Sequence, residues 1–125
     1  MILGVGLDVA EIDRIRQVIQ RHGDRFLTRV LTEREREYCA QHRDPAPSVA
    51  ARFAAKEALL KALGTGLSDG ISWQDVEVVR QRGQAPKLEL YRRAADLATA
   101  RGLSRAHLSL SHDRGVAAAV VVLEA

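Results

Sequence analysis

Glu57 and Lys61 stand four residues apart in the stretch Arg52-Phe53-Ala54-Ala55-Lys56-Glu57-Ala58-Leu59-Leu60-Lys61-Ala62-Leu63, which meets no helix breaker until Gly64-Thr65-Gly66. On a helix the two side chains lie about 40° apart around the axis, on neighbouring turns of one face. A carboxylate there can hold a cation and an ammonium an anion, so the pair reads as a metal and phosphate site. Gly64-Thr65-Gly66 ends the helix with exposed backbone N–H groups and no bulk, which suits close approach to a phosphate. Each signal alone is common: Glu with Lys four residues on also decorates solvated helices, and glycine past a helix is the usual stop. The combination with Gly4-Val5-Gly6-Leu7-Asp8-Val9 is more specific, because Asp8 ends a short apolar strand and offers a second oxygen to the same ion.

The elements that must carry these residues follow from patterning. A strand is expected near Ile2 to Leu7, then a helix from about Glu11 to His22 that stops at Gly23 and buries Ile12, Ile15 and Ile19. Arg14 and Arg21 fall within about 20° of each other on that helix, with Val18 near the same stripe and Arg25 just beyond. The exposed face is basic with an apolar spot. Phe26 to Leu31 and Thr32 to Ala40 follow, the latter opened by a Thr32/Glu35 capping box, with Glu33 and Glu35 read as capping and solvation residues. His42 to Ser48 holds two of the three prolines and reads as a loop, with Ser48 as cap of the long helix to Leu63. Ala50, Ala51, Ala54, Ala55, Ala58 and Ala62 let neighbours pack closely against that helix, which implies a central helix lying on a sheet.

Val76 to Val79 and Lys87 to Leu90 read as an antiparallel hairpin around Arg82-Gly83-Gln84, and Tyr91 to Ala100 as an amphipathic helix ending at Gly102. His107 to Ser111 alternates as a half-buried strand does, and Val116 to Leu123 is a continuous apolar strand fit for a sheet centre. His107 and His112 are an odd number of residues apart, so on a regular strand they cannot chelate one ion together. The fold class is α+β: a single domain over 1–125 with a mainly antiparallel sheet packed on a long central helix.

Composition agrees. The chain has 125 residues, long enough for one core, with 46% hydrophobic and 28% charged residues. Its apolar runs are too short to span a membrane, its start lacks a signal-peptide pattern, and a cytoplasmic location is expected. A net charge of +3 is too small to point to nucleic acid. Cys39 is the only cysteine, which excludes an internal disulfide and a cysteine-rich metal cluster.

Gly4-Val5-Gly6-Leu7-Asp8 with Arg14, Arg52-Phe53-Ala54-Ala55-Lys56-Glu57-Ala58, Lys61-Ala62 with Gly64-Thr65-Gly66, and His107-Leu108-Ser109-Leu110-Ser111-His112 run in one order along nearly the whole chain. In these blocks the chain resembles the holo-(acyl-carrier-protein) synthases, the small stand-alone 4'-phosphopantetheinyl transferases. The resemblance implies that fold, and transfer of 4'-phosphopantetheine from coenzyme A to a serine of apo acyl carrier protein with release of adenosine 3',5'-bisphosphate. It implies that Asp8 and Glu57 hold Mg2+, and that Lys61 meets the α-phosphate. Either Glu57 or a metal-bound water would take the serine proton. Arg14, Val18, Arg21 and Arg25 occupy the positions that dock the carrier. Gly64, Thr65, Gly66, His107 and Ser109 would line the coenzyme A site, with Arg43 a loosely matched 3'-phosphate contact. Arg52 and Lys56 lie on other helix faces from Glu57 and could meet the ribose phosphate or a neighbouring subunit. The resembling enzymes are homotrimers with sites between subunits. The rival readings are a basic nucleotide-binding module, opposed by only 4% aromatics and by the carboxylate of Glu57, and a subunit with no site of its own; neither would consume coenzyme A.

Overall fold

Two glycines decide how the sheet meets the long helix. In the computed structural model, which describes residues 1–81 and 83–125, strand β1 (Ile2–Glu11) lies directly on helix α4 (Ala46–Leu63). A Cβ on Gly4 would stand 2.1 Å from the Ala62 carbonyl oxygen, and one on Gly6 only 1.8 Å from that of Ala58. No side chain fits there. Two strand residues advance about 6.6 Å and one helical turn about 5.4 Å, so strand and helix run along each other nearly in step. The helix supplies the matching small residues: Ala50, Ala54, Ala55 and Ala58 are fully buried, as are Val49 and Leu59. A helix apolar on nearly every side must be covered on nearly every side.

Between β1 and α4 the chain forms α1 (Ile12–His22), α2 (Asp24–Val30) and α3 (Glu33–Ala40). Gly23 stops α1 at φ 55°, its N–H bonded to the Ile19 carbonyl. The capping box of α3 forms as expected, Thr32 accepting from the Glu35 N–H and Glu35 from the Thr32 N–H. After α4 come a short 3-10 turn (Trp73–Asp75), the hairpin β2 (Val76–Val79) and β3 (Lys87–Leu90), α5 (Arg92–Ala100), β4 (Arg105–Asp113) and β5 (Val116–Glu124). The main sheet is antiparallel in the order β1-β5-β4, with the apolar β5 at its centre, and β2-β3 form a second antiparallel pair. Of the residues expected to turn that hairpin, Gly83 has φ 78° and Gln84 donates to the Gln81 carbonyl, while Arg82 lies outside the described residues. Among the described residues no helix is long and apolar enough to cross a membrane.

Three local expectations need correction. α4 begins at Ala46, not after Ser48, because Pro47 carries a ready-made helical φ in the first turn and Asp44 Oδ1 accepts the Ala46 N–H at 3.2 Å. Strand β1 runs past Leu7 to Glu11, so Asp8 lies within it and not at its end. Glu35 is not a solvation residue. It is 1% exposed and accepts from Lys56 Nζ at 2.6 Å and from the Val78 N–H at 2.8 Å, tying α3 to α4 and β2.

The sheet is covered on one face only. Alternate residues of β5 (Ala117, Ala119, Val121, Leu123) are buried against α4. On the opposite face Val5, Leu7 and Val9 of β1 are each about three-fifths exposed, beside half-buried Val120 and Val122.

Candidate functional site

Asp8 is carried on the helix-facing side of β1, in phase with Gly4 and Gly6 and paired across the sheet with Ala119. Glu57 and Lys61 precede Ala58 and Ala62, the two α4 residues the glycines touch. The close approach that Gly4 and Gly6 permit therefore delivers Asp8 to the stripe that carries Glu57 and Lys61. Lys61 does not reach along its helix to Glu57. Its ammonium crosses to β1, 3.0 Å from both Asp8 Oδ1 and the Leu7 carbonyl. Glu57 feels the second acid: burial, then the charge of Asp8, push its carboxyl above the ordinary value, and Lys61 opposes them.

Asp8 and Glu57 open into a cavity of about 470 Å³ whose other wall is α1, with Arg14, Ile15 and Val18, closed by Phe26 and Phe53. Phe53 packs against Trp73, their ring centroids 5.1 Å apart, and lines this cavity. Arg21 and Arg25 are exposed further along, and Arg25 joins His22, Phe26 and Arg29 around a smaller basic hollow of about 280 Å³. The two carboxylates thus face a basic, partly apolar helix surface. Among the described residues no group of three or more His, Cys, Asp or Glu could hold a metal, so Glu11, which also lines this cavity, does not join Asp8 and Glu57, and a divalent ion would find two carboxylates here and not a full cage.

A second cavity, about 390 Å³, lies on another side of α4 and shares no lining residue with the first. It is lined by His42, Ser48, Arg52, Arg80 and His112, with Tyr38 behind. Arg52 is 3% exposed, its guanidinium 4.1 Å over the Tyr38 ring and bonded to the Ser48 carbonyl, yet its Nε has no partner among the described residues. A cavity lined by Arg52, Arg80, His42 and His112, with Asp44 its one acid, carries a basic excess that suits an anion. Arg80 and His42 were missed from sequence, where their only signal was basicity; His112 lay in a block that carried the resemblance but was given no role.

The remaining expected residues fall elsewhere. Lys56 reaches neither ribose phosphate nor neighbour: it is fully buried, its ammonium held by Glu35, the Val30 carbonyl at 2.7 Å and the Trp73 carbonyl at 3.1 Å. Arg43 is exposed in its loop, where its neighbours His42 and Asp44 line the second cavity. Asp44, where a basic residue would have served a phosphate better, is paired with Arg16 at 2.5 Å, which holds its carboxyl below the ordinary value. His107 and Ser109 point to the open sheet face, level with Val122 and Val120, and His107 Nε2 lies 3.1 Å from Glu124. Gly64 and Gly66 do take left-handed φ values of 78° and 59° with open space beside them, but the Gly64 and Thr65 amides are already committed to the Leu60 carbonyl. Arg101, another residue sequence did not flag, caps this end of α4 through the Leu63 carbonyl at 2.6 Å and holds the Leu3 carbonyl of β1 at 3.0 Å.

A profile of the 4'-phosphopantetheinyl transferase superfamily matches residues 4–121, and the chain belongs to that superfamily. A holo-[acyl-carrier-protein] synthase of Geobacter sp. (strain M21) is 52% identical over 124 residues, and one of Koribacter versatilis 49%, each alignment covering 99% of both chains. The crystal structure of the Neisseria meningitidis holo-[acyl-carrier-protein] synthase superposes with a TM-score of 0.90 at 33% identity over the whole of both chains. The Helicobacter pylori enzyme in complex with coenzyme A gives 0.84 at 32%, covering 96% of this chain and 99% of that one. With such relatives along its full length, the chain stands among the holo-(acyl-carrier-protein) synthases as a phosphopantetheinyl transferase enzyme.

Proposed function

We propose that this enzyme moves the 4'-phosphopantetheine arm of coenzyme A onto a serine hydroxyl of an apo acyl carrier protein, as a cytoplasmic, Mg2+-dependent transferase built from one domain over residues 1–125. The observation that carries the reading is the convergence of Asp8, Glu57 and Lys61 in and beside one cavity whose far wall is the basic, apolar-spotted face of α1. The serine oxygen bonds to the phosphorus bearing the pantetheine arm, and the pyrophosphate P–O bond to adenosine 3',5'-bisphosphate breaks. Lys61 offsets the charge that gathers on the departing bisphosphate. Glu57 is a candidate base for the serine proton, because burial and the charge of Asp8 raise its proton affinity.

The donor set fits a hard divalent cation: two carboxylates face one cavity, close enough that the charge of one raises the proton affinity of the other. Asp8 and Glu57 would hold Mg2+, which when bound supplies charge neutralisation to the pyrophosphate. Arg14 and Arg21 grip carboxylates of the carrier in pairs, Val18 fills the space between, and Arg25 extends the surface.

The basic cavity around Arg52 suits the phosphates of coenzyme A, and a solved relative from Helicobacter pylori is a complex with coenzyme A. Its lying on another side of α4 from Glu57 supports a site completed by a second copy. The open apolar face of β1 and β5 supports association into the homotrimer that the resemblance implies, since monomers seldom expose a contiguous apolar patch of this kind. His107 and Ser109 on that face would then lie at the subunit junction. The test is direct: incubation with coenzyme A, Mg2+ and apo carrier, with mass spectrometry showing the carrier gain one phosphopantetheine. No gain with several carriers, the native one included, defeats the proposal.

A further inference from the structure

Lys61 is not poised for a phosphate in this structure; it is occupied. Its ammonium sits 3.0 Å from Asp8 Oδ1 and 3.0 Å from the Leu7 carbonyl, so it stands at one of the two oxygens that the metal reading assigns to a cation. The Asp8 side chain is 16% exposed and that of Lys61 53%. The carboxylate is largely shielded, while about half of the lysine side chain is open to water. A displaceable cation on a fixed anion behaves as a competitor for any ion that needs the same oxygen.

We infer that Lys61 has a second role: it fills the cation position on Asp8 in the metal-free enzyme and must be displaced by the divalent ion, which releases it for phosphate. The inference rests on the assignment of Asp8 and Glu57 as metal ligands. The ammonium keeps Asp8 from facing the Glu57 carboxylate unneutralised when no metal is present. Loading the metal frees the same ammonium to turn to an anion, so cation and phosphate binding are ordered by one side chain. Linkage makes the coupling reciprocal: what draws Lys61 off Asp8 also helps the metal on.

The test is Mn2+ binding to the full chain without coenzyme A, followed by the loss of the free-ion electron paramagnetic resonance signal at constant pH and ionic strength. Lys61→Met removes the competitor and should bind Mn2+ about three- to fivefold more tightly than the native chain, the upper part of the range for an ion pair with one half-exposed partner. Arg14→Met removes a cation from the same cavity without touching Asp8, and its effect should stay under about twofold by screening. Asp8→Asn should lose Mn2+ binding. Equal or weaker binding by Lys61→Met while Asp8→Asn is defective overturns the competition and leaves the metal site standing. Native binding by Asp8→Asn overturns the metal assignment itself and the competition with it. An Arg14→Met gain equal to that of Lys61→Met shows general repulsion in place of displacement and also overturns the inference.

Discussion

The backbone of Gly6 lies against the carbonyl of Ala58 so closely that a Cβ would fall 1.8 Å from its oxygen. Gly6→Ala must therefore push β1 off α4, and Asp8, two residues on, moves with it. We expect a loss of more than about 3 kcal/mol in denaturant unfolding, together with loss of transfer activity. Gly64→Ala meets open space and strains only a positive φ, so its cost should be about 1 kcal/mol. Equal effects of the two substitutions would contradict this account of the contact.

Glu57→Gln should lower turnover about a hundredfold or more in the mass-spectrometric transfer assay. Its stability has a defined sign. Burial and Asp8 raise the folded-state pKa of Glu57, so this group favours the fold most below its unfolded value and disfavours it as pH rises through the folded value. The variant should melt with the native chain near about pH 4 and at or slightly above it, by about a degree, near about pH 7. A variant less stable than the native chain at neutral pH would count against the assigned environment.

Lys56→Ala should cost about 3–5 kcal/mol, because it leaves the buried Glu35 carboxylate without its cation. Combining Lys56→Met with Glu35→Gln should cost less than the sum of the single changes by at least about 1 kcal/mol. Chemical denaturation of the four proteins checks the cycle. Additive effects would show that the pair contributes no coupling.

Arg14→Glu with Arg21→Glu should raise the KM for the carrier about tenfold or more and leave that for coenzyme A nearly unchanged. The native dependence on salt should flatten in the double variant. Steady-state kinetics at two ionic strengths provides the measurement, and an equal rise in both KM values would refute the docking role of α1.

Leu7→Glu places a charge at the middle of the open sheet face without touching the helix-facing side of β1. The native chain should sediment as a trimer and the variant as a monomer with little activity. A native monomer with full activity would remove both the association and the shared site.

Much of the architecture was legible because it is local. Gly23 stops α1 at a positive φ that only glycine adopts cheaply, Thr32 and Glu35 meet within one turn, and the unbroken apolar run Val116 to Leu123 suits the centre of a sheet, where it lies. What misled was a residue doing two things: Glu35 caps its helix as its spacing says, and also accepts a buried ammonium 21 positions away, which no spacing announces. Ser48 looked like the cap, but the proline before it let the helix start earlier. The basic cavity was hardly legible, since Arg52, Arg80, His42 and His112 share no periodicity.

The amino-acid sequence by itself determined which side chains are available for chemistry and which stripe of α4 carries Glu57 and Lys61, because helical periodicity is a local property of the backbone. Only the tertiary structure decided that the ammonium of Lys61 belongs to Asp8, 53 positions away, and not to Glu57 four positions back. The choice follows from the bare backbones of Gly4 and Gly6, which bring β1 nearer to Lys61 than a strand with side chains could come.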